Sequence, residues 1–301
     1  VLFKMSGKVK LIIGANGYIG RQLTNKYYSK KISFIAADKM IDKKKNFHKL
    51  DLRNTRATKL FFKNLKKKLS EVILLGTHSA IAYRDNFNLS FFEDFRSLVN
   101  LIDELKKKNN PKLIYFSSSY VYSGMNSRFK KKVDEKDILK PSHNFGYAKL
   151  FFENYINRFY KNHIIFRLSS VFGKGKALYP NAIFNLAHDA KKKGDVVIWG
   201  KGKRKMQYIY MNDVIKYIFR SEKIIGTFNL SGKEYIELSK VGRIISKFYN
   251  SKLLFLKHKN EAETLPYMNN KKLIKLLGNH YSSFNKSLVH YMKFIKNEYK
   301  G

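Results

Sequence analysis

Short apolar runs alternate along the first half of the chain with stretches whose apolar residues recur at helical spacing. Val9-Lys10-Leu11-Ile12-Ile13 is the first run, and Arg21 to Lys30 reads as the helix that follows it. Ile32 to Ala37 is a second strand, ending at Asp38. A basic loop then leads to Leu50-Asp51-Leu52-Arg53 and a helical stretch to about Leu69. Val72 to Leu75, Leu113 to Phe116 and Ile164 to Leu168 are further strands. Between them a helix from about Phe91 to Lys108 aligns Phe95, Leu98, Leu101, Ile102 and Leu105, and another runs from Pro141 to about Tyr160. Strands this apolar, separated by helices, predict an α/β chain with a parallel sheet covered on both faces.

Beyond Arg167 the alternation loosens. Val196 to Trp199, Tyr208 to Tyr210 and Gly226 to Leu230 read as short strands. Asp213 is expected to cap a helix from Val214 to Arg220, Ser239 opens another to Tyr249, and the lysine-rich C-terminal segment reads as mostly helical. The expected organisation is a nucleotide-binding domain over residues 5–168 and a smaller C-terminal substrate lobe over 169–301. Residues from about 203 to 230 are expected to return to the first domain.

The chemistry is concentrated where the first strand breaks. Gly14-Ala15-Asn16-Gly17-Tyr18-Ile19-Gly20 places three glycines at three-residue spacing between a strand and a helix. Gly14 permits the tight turn, Gly17 lets backbone approach a pyrophosphate, and Gly20 lets the helix pack on the strand. Free N–H groups at the helix start then face the phosphates. Asp38 closes the second strand where an acid takes the adenosine ribose hydroxyls. The fold class is therefore a Rossmann-type, doubly wound parallel sheet. The nucleotide-binding set is Gly14, Asn16, Gly17, Tyr18, Ile19, Gly20 and Asp38, joined by Gly76 after the strand Val72 to Leu75.

Composition narrows the classes. The 301 residues contain no cysteine, which excludes disulfides, thiolate metal sites and cysteine nucleophiles, and no metal site is expected. No apolar run approaches a membrane span, and Val1 to Lys10 lacks the apolar core of a signal peptide, so a cytoplasmic protein starting at Met5 is expected. The formal net charge is +39, with lysine runs such as Lys43-Lys44-Lys45, Lys66-Lys67-Lys68 and Lys106-Lys107-Lys108. These runs are scattered over helix ends and loops. They are read as solvated compositional bias that attracts phosphate-bearing ligands, rather than as a nucleic-acid platform.

In order along the chain come the glycine loop, Asp38, Asp51-Leu52, Ser117-Ser118-Ser119-x-Val121-Tyr122, Pro141 to Glu153, Arg167 to Gly173, Trp199-Gly200-x-Gly202, Tyr208 to Val214, and Gly226 to Gly232. With these nine pieces the chain resembles an extended short-chain dehydrogenase/reductase of the NAD-dependent epimerase/dehydratase family, which acts mainly on nucleotide sugars. The resemblance implies NAD as cofactor, Asp51 and Leu52 at the adenine, and Asp38 favouring NAD over NADP. It also implies a nucleotide-sugar substrate and a homodimer through the Phe91 and Phe151 helices. From it, Ser118 takes the role of the hydroxyl residue and Lys149 that of the lysine beside the nicotinamide ribose. His78, Ser118, Asn181 and Arg204 are its candidate substrate contacts.

One position departs from the pattern. Where the family carries its acid/base tyrosine, four residues before Lys149, this chain has Phe145, which has a ring and no hydroxyl. An epimerase or reductase with weak or absent turnover is expected, and the alternatives are a non-catalytic NAD-binding sensor or scaffold and an RNA-binding member. Tyr120, Tyr122, His78 and His143 are the groups open to replace the lost phenol. Ser119-Tyr120 stands where dehydratases of the family carry an Asp-Glu pair, which argues against 4,6-dehydration. Asp94 stands where the family usually has Asn, and Met206 where it has a diphosphate-contacting Arg.

Overall fold

A computed structural model describes residues 8–40, 47–125, 132–175 and 180–298. Met5 and the Lys43-Lys44-Lys45 run lie outside the described residues. The elements follow in the order β1 (Lys8–Ile13), α1 (Tyr18–Ser29), β2 (Phe34–Asp38), β3 (Phe47–Lys49), α2 (Thr55–Asn64), β4 (Lys68–Leu74), α3 (Ala80–Asp85), α4 (Phe87–Lys107), β5 (Lys112–Ser118), α5 (Asn144–Phe159), β6 (His163–Leu168) and β7 (Ser170–Phe172). Then come α6 (Ala182–Lys193), β8 (Asp195–Trp199), β9 (Lys205–Tyr210), α7 (Met211–Arg220), β10 (Gly226–Leu230), β11 (Tyr235–Glu237), α8 (Leu238–Tyr249), β12 (Lys252–Leu256), α9 (Lys271–Leu277) and α10 (Phe284–Glu298).

The main sheet has seven strands in the order β10-β6-β5-β4-β1-β2-β3. Its central pairs, β1 with β2, β1 with β4 and β4 with β5, are parallel, with Ile12 opposite Ala36 and Ile73. The order reverses at β1, between β2 and β4. Ligands bind at such a switch point beyond the carboxyl ends of the strands. Both faces are apolar because both are covered. Leu11, Val72, Leu113 and Ile165 form one core with Leu98, Leu101, Leu105, Phe152 and Ile156 of α4 and α5. This is the doubly wound α/β class expected from the strand pattern.

The chain divides into two compact units. The first comprises Val1–Val121, Pro141–Phe166 and Ile224–Thr227, and the second Tyr122–Lys140, Arg167–Lys223 and Phe228–Gly301. These bounds differ from the two stretches expected. Tyr122–Lys140 goes with the second unit because the Tyr122 hydroxyl bonds Asn229, Asp134 and Arg167, while Val133 bridges to Met268. Residues 203–223 also stay there, since β9 pairs with β7 and β11; only Ile224–Thr227 returns. The second unit holds its own core of Phe172, Ile183, Val196, Tyr208, Val241, Leu288 and Met292.

Several boundaries shift for local reasons. α4 begins at Phe87 rather than Phe91, because the Asn86 side chain accepts from Leu89 N at 3.1 Å and caps it. α2 ends at Asn64 and β4 starts at Lys68, so the helix expected to reach Leu69 gives way to strand. The bulge at Val9/Lys10, where β1 meets β4, breaks the strand periodicity there. Asp213 is not a cap: it lies inside α7, and its carboxylate accepts from Ser282 N (2.8 Å), Ser282 Oγ (2.7 Å) and Lys216 Nζ (3.0 Å). β12 is a strand inside the segment expected to be mostly helical.

Candidate functional site

The glycine loop joins β1 to α1 at the switch point. Gly14 has φ +81°, and a methyl there would overlap Gly76 N and lie 2.7 Å from Gly76 Cα. The turns after β1 and β4 therefore touch backbone to backbone. A methyl on Gly20 would overlap the Gly14 carbonyl and lie 2.8 Å from Ala15 Cα. Gly17 is different. Its φ is −69°, open to any residue, it is exposed, and among the described residues a methyl there would meet only Gly14 O, at 3.1 Å. The fold itself does not demand a glycine at 17, so the space above it is open to a ligand.

Around the loop the polar groups fit a dinucleotide. Among the described residues no side chain caps the N-terminus of α1, and no acid sits in its first turn, which leaves the positive end of the helix dipole open to an anion. Asp38, at the end of β2, accepts from Asn16 N (2.9 Å) and Met40 N (3.2 Å). Those two bonds fix the carboxylate beside the loop and leave lone pairs for ribose hydroxyls. Asn16 donates its amide to Met40 O (2.8 Å), and its Oδ1 is buried without a partner among the described residues. Asp51 is gripped by the Arg53 guanidinium at 2.6 to 3.1 Å, which holds its carboxyl below the usual range. The Leu52 side chain lies in the core and its carbonyl accepts from Asn100, so Asp51 is the accessible member of the pair.

From Gly76 the site continues through Thr77 and His78. His78 is clamped: Nδ1 lies 2.8 Å from Asp94 Oδ1, Nε2 3.1 Å from Glu93 Oε2, and its backbone N–H donates to Asp94. The bond to Asp94 raises its pKa above the ordinary value, against the opposing effect of burial. An imidazole so held favours its protonated form and makes a poor base. Asp94 also accepts from the buried Tyr83 hydroxyl at 2.9 Å, and Arg53 reaches both Glu93 oxygens at 2.9 Å. Asp51, Arg53, Glu93, His78, Asp94 and Tyr83 thus form one chain of charged and polar contacts.

Lys149 and Phe145 lie one turn apart on α5, on the face turned to β5. The lysine is buried, and its ammonium donates to Tyr115 OH (3.1 Å), Thr77 Oγ1 (3.2 Å) and Phe116 O (3.2 Å). These three acceptors match its three protons. Nζ also lies 4.9 Å from the Tyr115 ring centre and 5.4 Å from that of Phe145. Burial lowers its pKa to about 8, with the charges of Asp94 and Glu153 opposing the drop. Ser118, at the end of β5, is buried, and its Oγ accepts from Tyr120 N at 3.2 Å. The Phe145 ring touches Tyr83 at 5.5 Å and Tyr120 at 5.9 Å between centres.

A continuous path of contacts thus joins most of the expected residues within the first unit. It runs from Gly14 to Gly76 and Thr77, then to Lys149, Phe145, Tyr120 and Ser118. Asn181 and Arg204 belong to the second unit and serve local structure there. Asn181 caps α6 through Phe184 N and donates to Val171 O at 2.7 Å. Arg204 donates its backbone N–H to Glu261 at 2.6 Å and its Nε to Glu263 O at 3.0 Å. Thr77, Tyr83, Glu93 and Tyr115 were missed by sequence reasoning. Tyr115 carried one usable signal, a phenol in the middle of an otherwise apolar strand.

The fold and loop define a dinucleotide-binding α/β protein. A model of the NAD dependent epimerase/dehydratase family matches residues 10–222, and the chain belongs to that family. Among solved structures it is similar to the UDP-glucose 4-epimerase of Thermus thermophilus in complex with NAD, at 15% identity and TM-score 0.84, covering 96% of this chain and 99% of that one. The UDP-glucose 4-epimerase of Thermotoga maritima with UDP-glucose gives 17% identity and TM-score 0.84, with coverages of 96% and 98%. The dTDP-glucose 4,6-dehydratase of Bacillus anthracis in complex with NAD gives 15% and 0.81, covering 97% of each. At these identities the likeness is one of fold. Among the described residues no helix is long and apolar enough to cross a membrane.

Proposed function

We propose that the chain binds NAD(H) and a nucleotide sugar and slowly oxidises and reduces a sugar hydroxyl, as an epimerase or reductase. The observation that supports this best is the path from the glycine loop through Thr77 and Lys149 to Ser118 within one compact unit. Gly14 to Gly20 and the α1 terminus hold the pyrophosphate, Asp38 the adenosine ribose, and Asp51 the adenine. Asp38 repels a 2′-phosphate and so favours NAD over NADP. Lys149 orients the nicotinamide ribose, and Ser118 hydrogen-bonds the reacting hydroxyl. The nicotinamide supplies a hydride acceptor when bound. Asn181 and Arg204 stay in the proposal as candidate substrate contacts.

The fold of α4 on α5 supports a homodimer through these helices. Phe91, Phe95, Phe151 and Tyr155 interlock at 5.2 to 5.3 Å between ring centres, yet Phe92 remains 65% exposed and Phe151 43%. An aromatic face left this open suits a second copy of itself.

A second reading, a cofactor-binding sensor or scaffold, draws on Phe145 and on Lys149, whose three protons are already taken inside the protein. Protein stripped of nucleotide separates the two. Calorimetry with NAD(H) and NADP(H) reports binding and preference. Absorbance of the reduced cofactor across UDP-, GDP-, CDP- and dTDP-sugars reports hydride transfer. NAD binding with measurable transfer supports the enzyme, NAD binding with none favours the sensor, and a preference for NADP(H) rejects the role given to Asp38.

A further inference from the structure

We propose that Tyr120 transfers the proton at this site, in place of the tyrosine absent from position 145; this rests on the reading just given. Three phenols surround Phe145 and Lys149, and two are committed elsewhere. Tyr83 is fully buried, with its hydroxyl on Asp94 (2.9 Å) and Ser90 O (3.3 Å), and burial drives its pKa far up. Tyr115 is buried against Lys149, and its pKa is also driven well up by burial. Tyr120 is half-buried, and among the described residues no group bonds its hydroxyl. It sits on the single-turn helix Ser119–Tyr122, and its backbone N–H donates to Ser118 Oγ at 3.2 Å. The phenol and the Ser118 hydroxyl therefore leave one short stretch of backbone.

Two of the remaining groups open to this role, Tyr122 and His78, are removed by their surroundings. The Tyr122 hydroxyl is fully engaged inside the second unit, with Asn229 Oδ1 at 2.9 Å, Asp134 O at 3.1 Å and Arg167 at 2.6 Å. His78 is held between Asp94 and Glu93. His143 is exposed at the start of α5 and meets the Tyr120 ring edge-on at 5.3 Å, where its imidazole can pass a proton between the phenol and water. In the oxidising direction the Tyr120 oxygen takes the sugar O–H proton while the phenol's own proton passes to water. The adjoining carbon loses its hydride, with both bonding electrons, to oxidised nicotinamide, and the C–O bond becomes a carbonyl. Reduction runs the same steps backwards.

Protein carrying ¹³C at every tyrosine Cζ, with Tyr120 assigned through its backbone, tests the assignment. Adding UDP-glucose to NAD-saturated protein is expected to shift the Tyr120 signal and leave those of Tyr83 and Tyr115 in place. Tyr120→Phe is expected to slow hydride transfer by about 10²–10⁴-fold, and adding Phe145→Tyr to that variant to recover most of the loss. An unmoved Tyr120 signal, or a Tyr120→Phe chain as fast as the parent, overturns the proposal. The signal shift is read on the native chain, so it decides the matter even if the variant is unstable. Failure of the underlying reading is distinct, because the parent chain would then transfer no hydride to any of the nucleotide sugars, whichever residue stands at position 120.

Discussion

Gly17→Ala and Gly14→Ala separate what the glycine loop does for the fold from what it does for a ligand. At Gly14 the new methyl forces a left-handed residue, about 1–2 kcal/mol, and presses on the Gly76 backbone, about 1–3 kcal/mol more. The sum, about 2–5 kcal/mol, lowers Tm by about 3–8 °C at about 1.6 °C per kcal/mol for a chain of 301 residues. At Gly17 the backbone is ordinary and the methyl meets a single oxygen at 3.1 Å. The cost is that of alanine in place of glycine at a helix N-cap, under about 1 kcal/mol. If a pyrophosphate rests on that Cα, the same methyl displaces it and weakens NAD(H) at least tenfold, about 1.4 kcal/mol. Differential scanning calorimetry gives the first number and titration calorimetry the second. A Gly17→Ala chain that binds NAD(H) as tightly as the parent refutes the placement of the pyrophosphate.

Three further outcomes follow from the geometry. Asp94→Asn removes the largest cause of the raised His78 pKa, so the imidazole midpoint followed by NMR falls; in the parent, this pair's stabilisation is complete below about pH 6.5 and fades as pH rises through the raised value. Lys149 titrates near 8 when folded and near 10.5 when unfolded, so the unfolded chain holds the extra proton between those values and stability rises with pH there. Parent minus Lys149→Met unfolding energies should climb by up to about 1.4 kcal/mol per pH unit over that window, and a flat difference refutes a buried, partly neutral amine. Phe92→Glu is expected to give a monomer in light scattering where the parent gives the proposed dimer, with far-UV circular dichroism unchanged because Phe92 is 65% exposed; a variant that still dimerises refutes the α4 face.

The parts of the site that were legible are those fixed by neighbours in the chain. The glycine spacing, Asp38 at a strand end, and Phe145 one turn before Lys149 are local geometry, and the strand alternation set the sheet. Partnerships across the fold were not legible. Lys149 meets Tyr115 across 34 positions and His78 meets Asp94 across 16, and nothing in either segment names its partner. The start of β4 was hidden because Lys66-Lys67-Lys68 reads as a solvated helix end. The membership of Tyr122–Lys140 depended on Asn229 and Met268, more than 100 residues downstream.

That last arrangement bears on how the protein is made. The chain passes between its two units five times, and the first unit receives its final piece, Ile224–Thr227, only after a long excursion. A ribosome extending the chain at about 5–20 residues per second needs about 3–12 s to travel from Phe166 to Thr227. Throughout that interval the edge of β6 that will receive β10 is in place and its partner does not yet exist. A nascent chain stalled there leaves the apolar edge of β6 unpaired, so slower synthesis across residues 167–227 is expected to raise its capture by chaperones.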